Sequence, residues 1–522
     1  MNDPTSARQE WWRHAVTYQI YPRSFADANG DGIGDLPGIT SRLPYLRDLG
    51  VDAIWMSPFY TSPQKDHGYD VADHCDIDPL FGTLADADTL IEGAHANGLK
   101  VIVDLVPNHT SDQHAWFQAA LAAGPGSPER ARYIFRDGPD GSPDTPPNNW
   151  RSVFGGPAWT QVEDGQWYLH LFDASQPDLD WRNPEVGDMF VDVLRFWLDR
   201  GVDGFRVDVA HGLFKQEGLP DTVRAAGKES APHAPDVEGP MWDQPEVHEV
   251  YRRWHEVLAK YDGDRMLVAE AWTATPESMA RYIRPDEMSQ AFNFAWLLAP
   301  WSARAFADVI TDTLDAVGLV DGTPTWVLSN HDVVRHPSRY GGGAVGLARA
   351  RAATLAMLAL PGSAYLYEGE ELGLEQVDVA PEFRQDPSWF RTGEPGRDGC
   401  RVPIPWSGDT PPFGFGPGTG QPWLPQPAEW VALTVAAEEA DPDSTLSFYR
   451  AALAARRTIA VSAGDEVELL DLGEDVLAFR RGPVTVVLNC GSSPVDLPAG
   501  QVLMASGPVG TTLPANTAVW LG

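Results

Sequence analysis

Short apolar runs alternate with longer stretches of helical periodicity along most of this chain. Val16–Ile20, Val51–Met56 and Lys100–Val106 come first, then Gly204–Asp208, Leu267–Glu270, Gln290–Trp296, Val327–Asp332 and Gly362–Tyr367. Each is too short for a lone helix and most are rich in β-branched or aromatic residues, so each reads as a buried strand. The clearest intervening helix is predicted over Pro184–Arg200. There Val186, Met189, Phe190, Val193, Leu194, Trp197 and Leu198 recur at three- and four-residue spacing as one apolar stripe. Asn183 suits the N-cap, Pro184 the first turn and Gly201 the end. Eight strands alternating with helices predict an α/β fold, a (β/α)8 TIM barrel.

Two segments interrupt the alternation. Residues 111–182 follow the third strand, are crowded with Pro, Gly and Asp, and far exceed an ordinary βα loop, which predicts a small inserted domain at the catalytic end of the barrel. Residues 375–430, after the eighth strand, are similarly irregular and predict a second wall. A final helix near Ser444–Arg457 precedes the alternating runs Val467–Leu470, Val476–Phe479 and Val484–Leu488, which predict a C-terminal antiparallel β-sandwich. The expected division is a barrel over 1–110 and 183–458, an inserted domain over 111–182 and a sandwich over 459–522.

Composition narrows the partners. The 522 residues exceed one ordinary core, and 74 acidic against 38 basic residues leave a formal charge of −36. That balance argues against nucleic acid and against anionic membranes. Cys75, Cys400 and Cys490 lie far apart without metal spacing and read as reduced thiols of a cytoplasmic protein. The polar start, Met1–Glu10, has no apolar signal core, and no run approaches a membrane span.

Three of the strand-like runs close on a carboxylate: Asp208, Glu270 and Asp332. An acid at the carboxyl end of a barrel strand stands where such folds place their chemistry. Arg206 lies two residues before Asp208, and His331 adjoins Asp332. Two facing carboxylates suit glycosidic bond cleavage, one attacking the anomeric carbon and the other protonating the departing oxygen. An arginine beside the attacking acid keeps it ionised.

Asp104–His109, Gly204–Asp208, Ala269–Trp272 and Asn330–Asp332, in that order, resemble the motifs of the α-amylase family of glycoside hydrolases. The resemblance implies that Asp208 is the nucleophile, Glu270 the general acid/base and Asp332 the stabiliser gripping sugar hydroxyls. It further implies that His109, His331 and Arg206 bond the bound glucose and the nucleophile, and that Tyr69 and Asp70 pack on the same ring. Trp11–Phe25 and Gln176–Asp180 are most similar to bacterial α-glucosidases and oligo-1,6-glucosidases. In those relatives an acid matching Asp66 and a partner matching Arg401 close the non-reducing end. A groove so closed is a pocket and implies exo-action on small α-glucosidic sugars.

Asp27–Asp35 places oxygen side chains at alternate positions with intervening glycines, a pattern that suits a hard cation. It begins like an EF-hand loop, but its twelfth position is Gly38 instead of glutamate, and an Asx-rich turn is the plain alternative. The resemblance implies structural Ca²⁺ held by Asp27, Asn29, Asp31, Asp35 and the Ile33 carbonyl. Val209 occupies the family position linked to choice of bond, where valine resembles α-1,6-acting members. The stretches Asp208–Gly212 and Arg397–Arg401 look more like α-1,4-acting α-glucosidases, and the balance favours α-1,4. Glu368 stands where relatives often have glutamine and is expected to add charge near the base of the pocket. A transglucosylase or sugar isomerase would use the same glycosyl-enzyme. A non-catalytic subunit would have lost acids that are all present here.

Overall fold

The computed structural model describes residues 10–142, 144–223, 238–418 and 420–522. The first nine residues of the polar start lie outside it. Eight parallel strands form the barrel: Val16–Ile20, Ala53–Met56, Lys100–Leu105, Gly204–Val207, Met266–Ala269, Gln290–Ala291, Thr325–Val327 and Ser363–Tyr367. Each pairs with its sequence neighbour from the first to the sixth, the seventh pairs with the eighth, and the eighth returns to the first. Between the sixth and seventh, Asn293 N donates to Thr325 O at 3.2 Å and nearly closes the ring. Every strand residue is buried except half-buried Lys100, which is why these runs read as continuously apolar instead of alternating.

The helix expected after the inserted segment spans Pro184–Asp199, with Asn183 Oδ1 accepting Glu185 N at 3.0 Å. Gly201, at φ +100°, ends it with a backbone that a side chain would resist. Its buried stripe is Val186, Phe190, Val193, Leu194, Trp197 and Leu198, with Val191 beside it.

Two expected strands are corrected. The sixth stops at Ala291 because the Asn293 side chain accepts Trp296 N at 2.9 Å and caps a helix over Phe294–Leu298. The seventh ends at Val327, so Asp332 sits in the following loop and not on a strand.

Within residues 111–182, Phe135–Arg136, Trp159–Gln161 and Trp167–Leu169 form a small antiparallel sheet. Ile134, Trp150, Trp159, Leu169 and Leu171 pack with Val209, Met241 and Trp242, so this segment is joined to the barrel by an apolar cluster beside the fourth strand. The closing helix, Thr445–Ser462, is capped by Ser444 Oγ, which accepts Ser447 N at 3.0 Å. Beyond it lie a five-stranded antiparallel sheet and a two-stranded one, docked where Trp520 Nε1 donates to Leu355 O at 3.0 Å.

Candidate active site

At the carboxyl ends of the strands lies a cavity of about 480 Å³. The fourth strand delivers Arg206 and, one residue past its end, Asp208. Arg206 Nη1 donates to Asp208 Oδ1 at 2.6 Å and to Asp104 Oδ1 at 2.9 Å, and Nη2 lies 3.2 Å from Glu270 Oε2. One guanidinium thus binds both acids that the chemistry requires. That shared contact favours the short separation of retaining glycosidases, about 5–5.5 Å, over the roughly 6.5–9.5 Å of inverting ones.

Burial pushes Asp208 up, against the Arg206 cation, with Glu270, Asp104 and Asp332 adding to the rise. Burial likewise raises Glu270, again against Arg206. Acids this close titrate as a set. The closer guanidinium contact, 2.6 Å against 3.2 Å, favours charge on Asp208 and the retained proton on Glu270. Those are the states a nucleophile and a general acid need.

Asp332 is held by different groups. Burial works to raise it, but facing His331 and the guanidinium groups of Arg397, Arg401 and Arg206 reverse this and keep it well below the usual carboxylate range. Arg397 Nη1 and Arg401 Nη2 each approach Asp332 Oδ1 at 3.1 Å. His331, buried and beside these cations, is driven well below its ordinary value and stays neutral. With the Gln19 amide assigned as donor to His331 Nδ1 at 2.7 Å, Nε2 carries the proton. That nitrogen faces the Tyr69 hydroxyl at 2.7 Å and Asp332 Oδ2 at 3.2 Å. The Tyr69 hydroxyl donates onward to Asp104 Oδ2 at 3.1 Å. The Tyr69 and His331 rings lie parallel, centroids 5.4 Å apart.

Of the residues marked in the sequence, Asp66, Tyr69, His109, Asp208, Val209, Glu270, His331 and Asp332 line the cavity, with Arg206 immediately beneath. Burial lowers His109 to about 4, so it too is neutral, and its Nε2 lies 3.1 Å from Tyr69 O. Val209 adopts φ +46°, an unusual backbone for a β-branched residue. That turn aims its N–H at Glu270 Oε2, 2.7 Å away. Gly212 is required beneath it, because a Cβ there would lie 2.6 Å from Val209 Cγ1 and 2.9 Å from Trp242 Cζ3.

Three expectations fail. Arg401 is not the partner of Asp66: the ion pair at the closed end is Arg397 Nη2 to Asp66 Oδ1, 2.7 Å. Arg401, fully buried, instead donates to His331 O at 2.8 Å and supports Asp332 from behind. Asp70 does not face the cavity. It lies beneath the loop, accepting Ser62 Oγ at 2.9 Å, Asp66 N at 3.0 Å and Lys65 N at 2.8 Å, and so pins Asp66 in place. Nor does Glu368 charge the pocket base: burial pushes it well above the carboxylate range, and its Oε2 accepts Tyr21 N at 2.8 Å as a neutral acid.

Several lining residues carried no signal in the sequence. Phe154 and Phe172 come from the inserted segment; Trp272, which closes the Ala269–Trp272 motif but was given no role, follows the fifth strand. Trp242 stacks on His211 at 4.8 Å. Gln176, already marked for its motif, donates to Asp66 Oδ2 at 3.1 Å and ties the inserted segment to the closed end.

The Asp27–Asp35 loop wraps inward on its own amides. Asp27 accepts Gly30 N at 2.6 Å and Gly32 N at 2.9 Å, Asn29 accepts Asp31 N at 2.8 Å, and Asp31 accepts Ile33 N at 2.9 Å. Asp35 accepts Gly38 N at 2.7 Å and Ala28 N at 3.1 Å. Among the described residues no three His, Cys, Asp or Glu side chains converge as a metal cage. The donor set is nonetheless all oxygen, and buried Asp35 is raised by desolvation with the Asp27 charge adding to it, a repulsion that a hard cation would offset.

Comparison with known proteins gives this geometry a family. A model of the alpha-amylase catalytic domain matches residues 19–464. The chain is 41% identical over 514 residues to a "Probable alpha-glucosidase" of Rhizobium meliloti (strain 1021), covering 92% of this chain and 89% of the relative. It is 38% identical over 485 residues to an oligo-1,6-glucosidase of Parageobacillus thermoglucosidasius, covering 86% and 84%. Among solved structures, the alpha-glucosyl transfer enzyme XgtA superposes with a TM-score of 0.90 at 39% identity, covering 98% of this chain and all of that one. The catalytic architecture, the family model across most of the length and relatives of this identity lead to one conclusion: the chain belongs to the alpha-amylase family of glycoside hydrolases.

Proposed function

We propose that this protein is a retaining exo-α-glucosidase, releasing α-glucose from the non-reducing end of maltose and other short α-glucosides. The Asp66–Arg397 ion pair across one end of the cavity carries the reading, because it leaves room for a terminal glucose and none for a chain passing through. In the first step the Asp208 carboxylate attacks the anomeric carbon while Glu270 gives its proton to the departing oxygen. In the second, Glu270 takes a proton from water as water displaces Asp208. Asp332, kept anionic, accepts sugar hydroxyls. The relatives named for α-glucosidase and oligo-1,6-glucosidase action support the class of substrate.

Val209 on the cavity wall favours a second reading, α-1,6 cleavage, and the likeness to a glucosyl transfer enzyme supports sugars as alternative acceptors to water. Proton NMR of maltose, isomaltose and sucrose digests decides among these, with Asp208→Asn as control. Early α-glucose from maltose supports the main reading, faster release from isomaltose favours the second, and new linkages in place of glucose favour transfer. No turnover of any of them would overturn all three.

The Asp27–Asp35 loop, on this reading, takes a structural Ca²⁺ through Asp27, Asn29, Asp31, Asp35 and the Ile33 carbonyl, remote from any step of the reaction. Among the described residues no helix is long and apolar enough to cross a membrane. Three free cysteines suit the reducing cytoplasm.

A further inference from the structure

Trp272 stands two residues beyond Glu270 and forms part of the cavity wall. Its indole Nε1 donates to Glu270 Oε1 at 2.9 Å. The other oxygen, Oε2, is already engaged by Val209 N at 2.7 Å and Arg206 Nη2 at 3.2 Å. The indole is itself fixed. It stacks on Phe294 with ring centroids 3.9 Å apart and planes 14° from parallel. A second cavity of about 260 Å³, lined also by Phe292, Phe294 and Leu298, adjoins the indole, so the stack and not close packing on every side holds the ring. Phe294 in turn is the first residue of the helix that Asn293 caps.

We propose that Trp272 is a positioning residue for the general acid/base: its indole N–H fixes the plane of the Glu270 carboxyl and favours the carboxylate form. This rests on the reading of Glu270 given above. Two donors occupy Oε2, so the transferable proton resides on Oε1. Trp272 takes one of the two lone-pair directions of Oε1 and leaves the other for the glycosidic oxygen or the incoming water. In the second half-reaction the Glu270 carboxylate removes a proton from water as the water oxygen bonds to the anomeric carbon and the bond to Asp208 breaks, Asp208 leaving as carboxylate. A donor to the charged form of Glu270 keeps more of it ionised when the water arrives at acidic pH, and the fixed plane aims the free Oε1 lone pair at the water. The charged and titratable groups around Glu270 are Arg206, Asp104, Asp208, His211 and Asp332. Arg206 favours the carboxylate and the three aspartates oppose it, leaving the neutral donors Trp272 and Val209 to bias the balance.

Trp272→Phe keeps a ring on Phe294 and removes the donor alone. The test compares pH profiles of kcat/KM on maltose, which needs acid assistance, with turnover of α-glucosyl fluoride, which needs almost none. The alkaline limb on maltose is expected to move up by about one pH unit. On the fluoride, the acid limb of kcat is expected to move up by the same amount. On that limb kcat and KM then fall together by about tenfold with kcat/KM unchanged, because only the base-assisted step needs ionised Glu270. A limb that coincides with wild type, or a rise in KM alone on both substrates, would overturn the proposal and leave Trp272 as a wall. Should W272F not fold, Phe294→Leu, which keeps the donor but loosens the indole, carries the test with a smaller shift in the same direction, and no shift there overturns it. A wild-type enzyme inactive on both substrates would overturn the function itself, before any variant is compared.

Discussion

Asp66→Asn tests the closed end of the pocket with little change of shape. Asp66 is buried and accepts Arg397 Nη2 at 2.7 Å and Gln176 Nε2 at 3.1 Å, with the Arg401 cation a weaker influence behind them. The substitution removes the charge-assisted contact but leaves Arg397 paired with Asp386 at 2.5 Å and Asp332 at 3.1 Å, so no cation is stranded. A hydrogen bond to a charged group contributes about 1.5–3 kcal/mol. Taking roughly 2 kcal/mol lost from the wall against the terminal glucose predicts about a 30-fold fall in kcat/KM. The wall is remote from the breaking bond and grips ground and transition states alike, so most of the loss should appear as a higher KM at nearly constant kcat. Initial rates on maltose, with circular dichroism to confirm the fold, measure this. A KM within twofold of wild type would refute the idea that the ion pair defines the end of the site.

Further outcomes follow from other parts of the molecule. Glu270→Ala, assayed on α-glucosyl fluoride with added azide, should yield α-glucosyl azide, because Asp208 still forms the intermediate and azide then replaces water on the opposite face; the β-anomer would contradict the assigned roles. Buried Glu370, which accepts Tyr449 OH at 3.0 Å and Tyr367 N at 3.2 Å, is pushed by burial up to about 8 from 4.5. Its folded pKa exceeds the unfolded one, so the folded state holds the extra proton between those values and stability falls as pH rises through that window. Glu370→Gln should lower this slope by up to about 1.4 kcal/mol per pH unit and make the protein more stable than wild type at pH 7.5 but not at pH 4; urea unfolding across that range checks it, and parallel slopes would refute it. Chelation should lower the melting temperature of wild type and leave Asp27→Ala unmoved, whereas identical melts with and without chelator would reduce the loop to an Asx turn.

The barrel was legible because its strands are buried on both faces, and the Asn183-to-Gly201 helix because its caps and stripe agree with one another. The sixth strand was misread for a local reason: Asn293 can continue an apolar run or cap a helix, and only the capture of Trp296 N decides between them. Asp208 and Glu270 could be placed from their strands, each one residue past the end. Asp332 was singled out in the same way, as the acid closing an apolar run, although the strand assigned to it does not reach it: its position is set by His331, Arg397 and Arg401 and not by a ladder.

The choice between Arg397 and Arg401 shows what a single sequence cannot encode locally. The two sit four residues apart around the short 3₁₀ turn Asp398–Cys400, and either is long enough to reach Asp66. The decision is taken by Asp386, whose Oδ2 accepts Arg397 Nε at 2.5 Å and Arg397 N at 3.2 Å, aiming that guanidinium into the pocket. Asp386 is itself anchored by Asp398 Oδ2, which accepts its N–H at 3.1 Å and that of Gln385 at 2.7 Å. Arg401 is left to face inward, where His331 O accepts its Nε. None of these contacts follows hydrophobic periodicity. Those of Asp386 and Asp398 need the irregular segment 375–430 already folded on itself, and those of Arg397 with Asp66 and of Arg401 with His331 need it docked on other loops. The chemistry of the site is therefore written at strand ends, where periodicity finds it. Its exo-specificity is written in loop-to-loop ion pairs, where only the assembled fold reveals which of two neighbouring arginines closes the pocket.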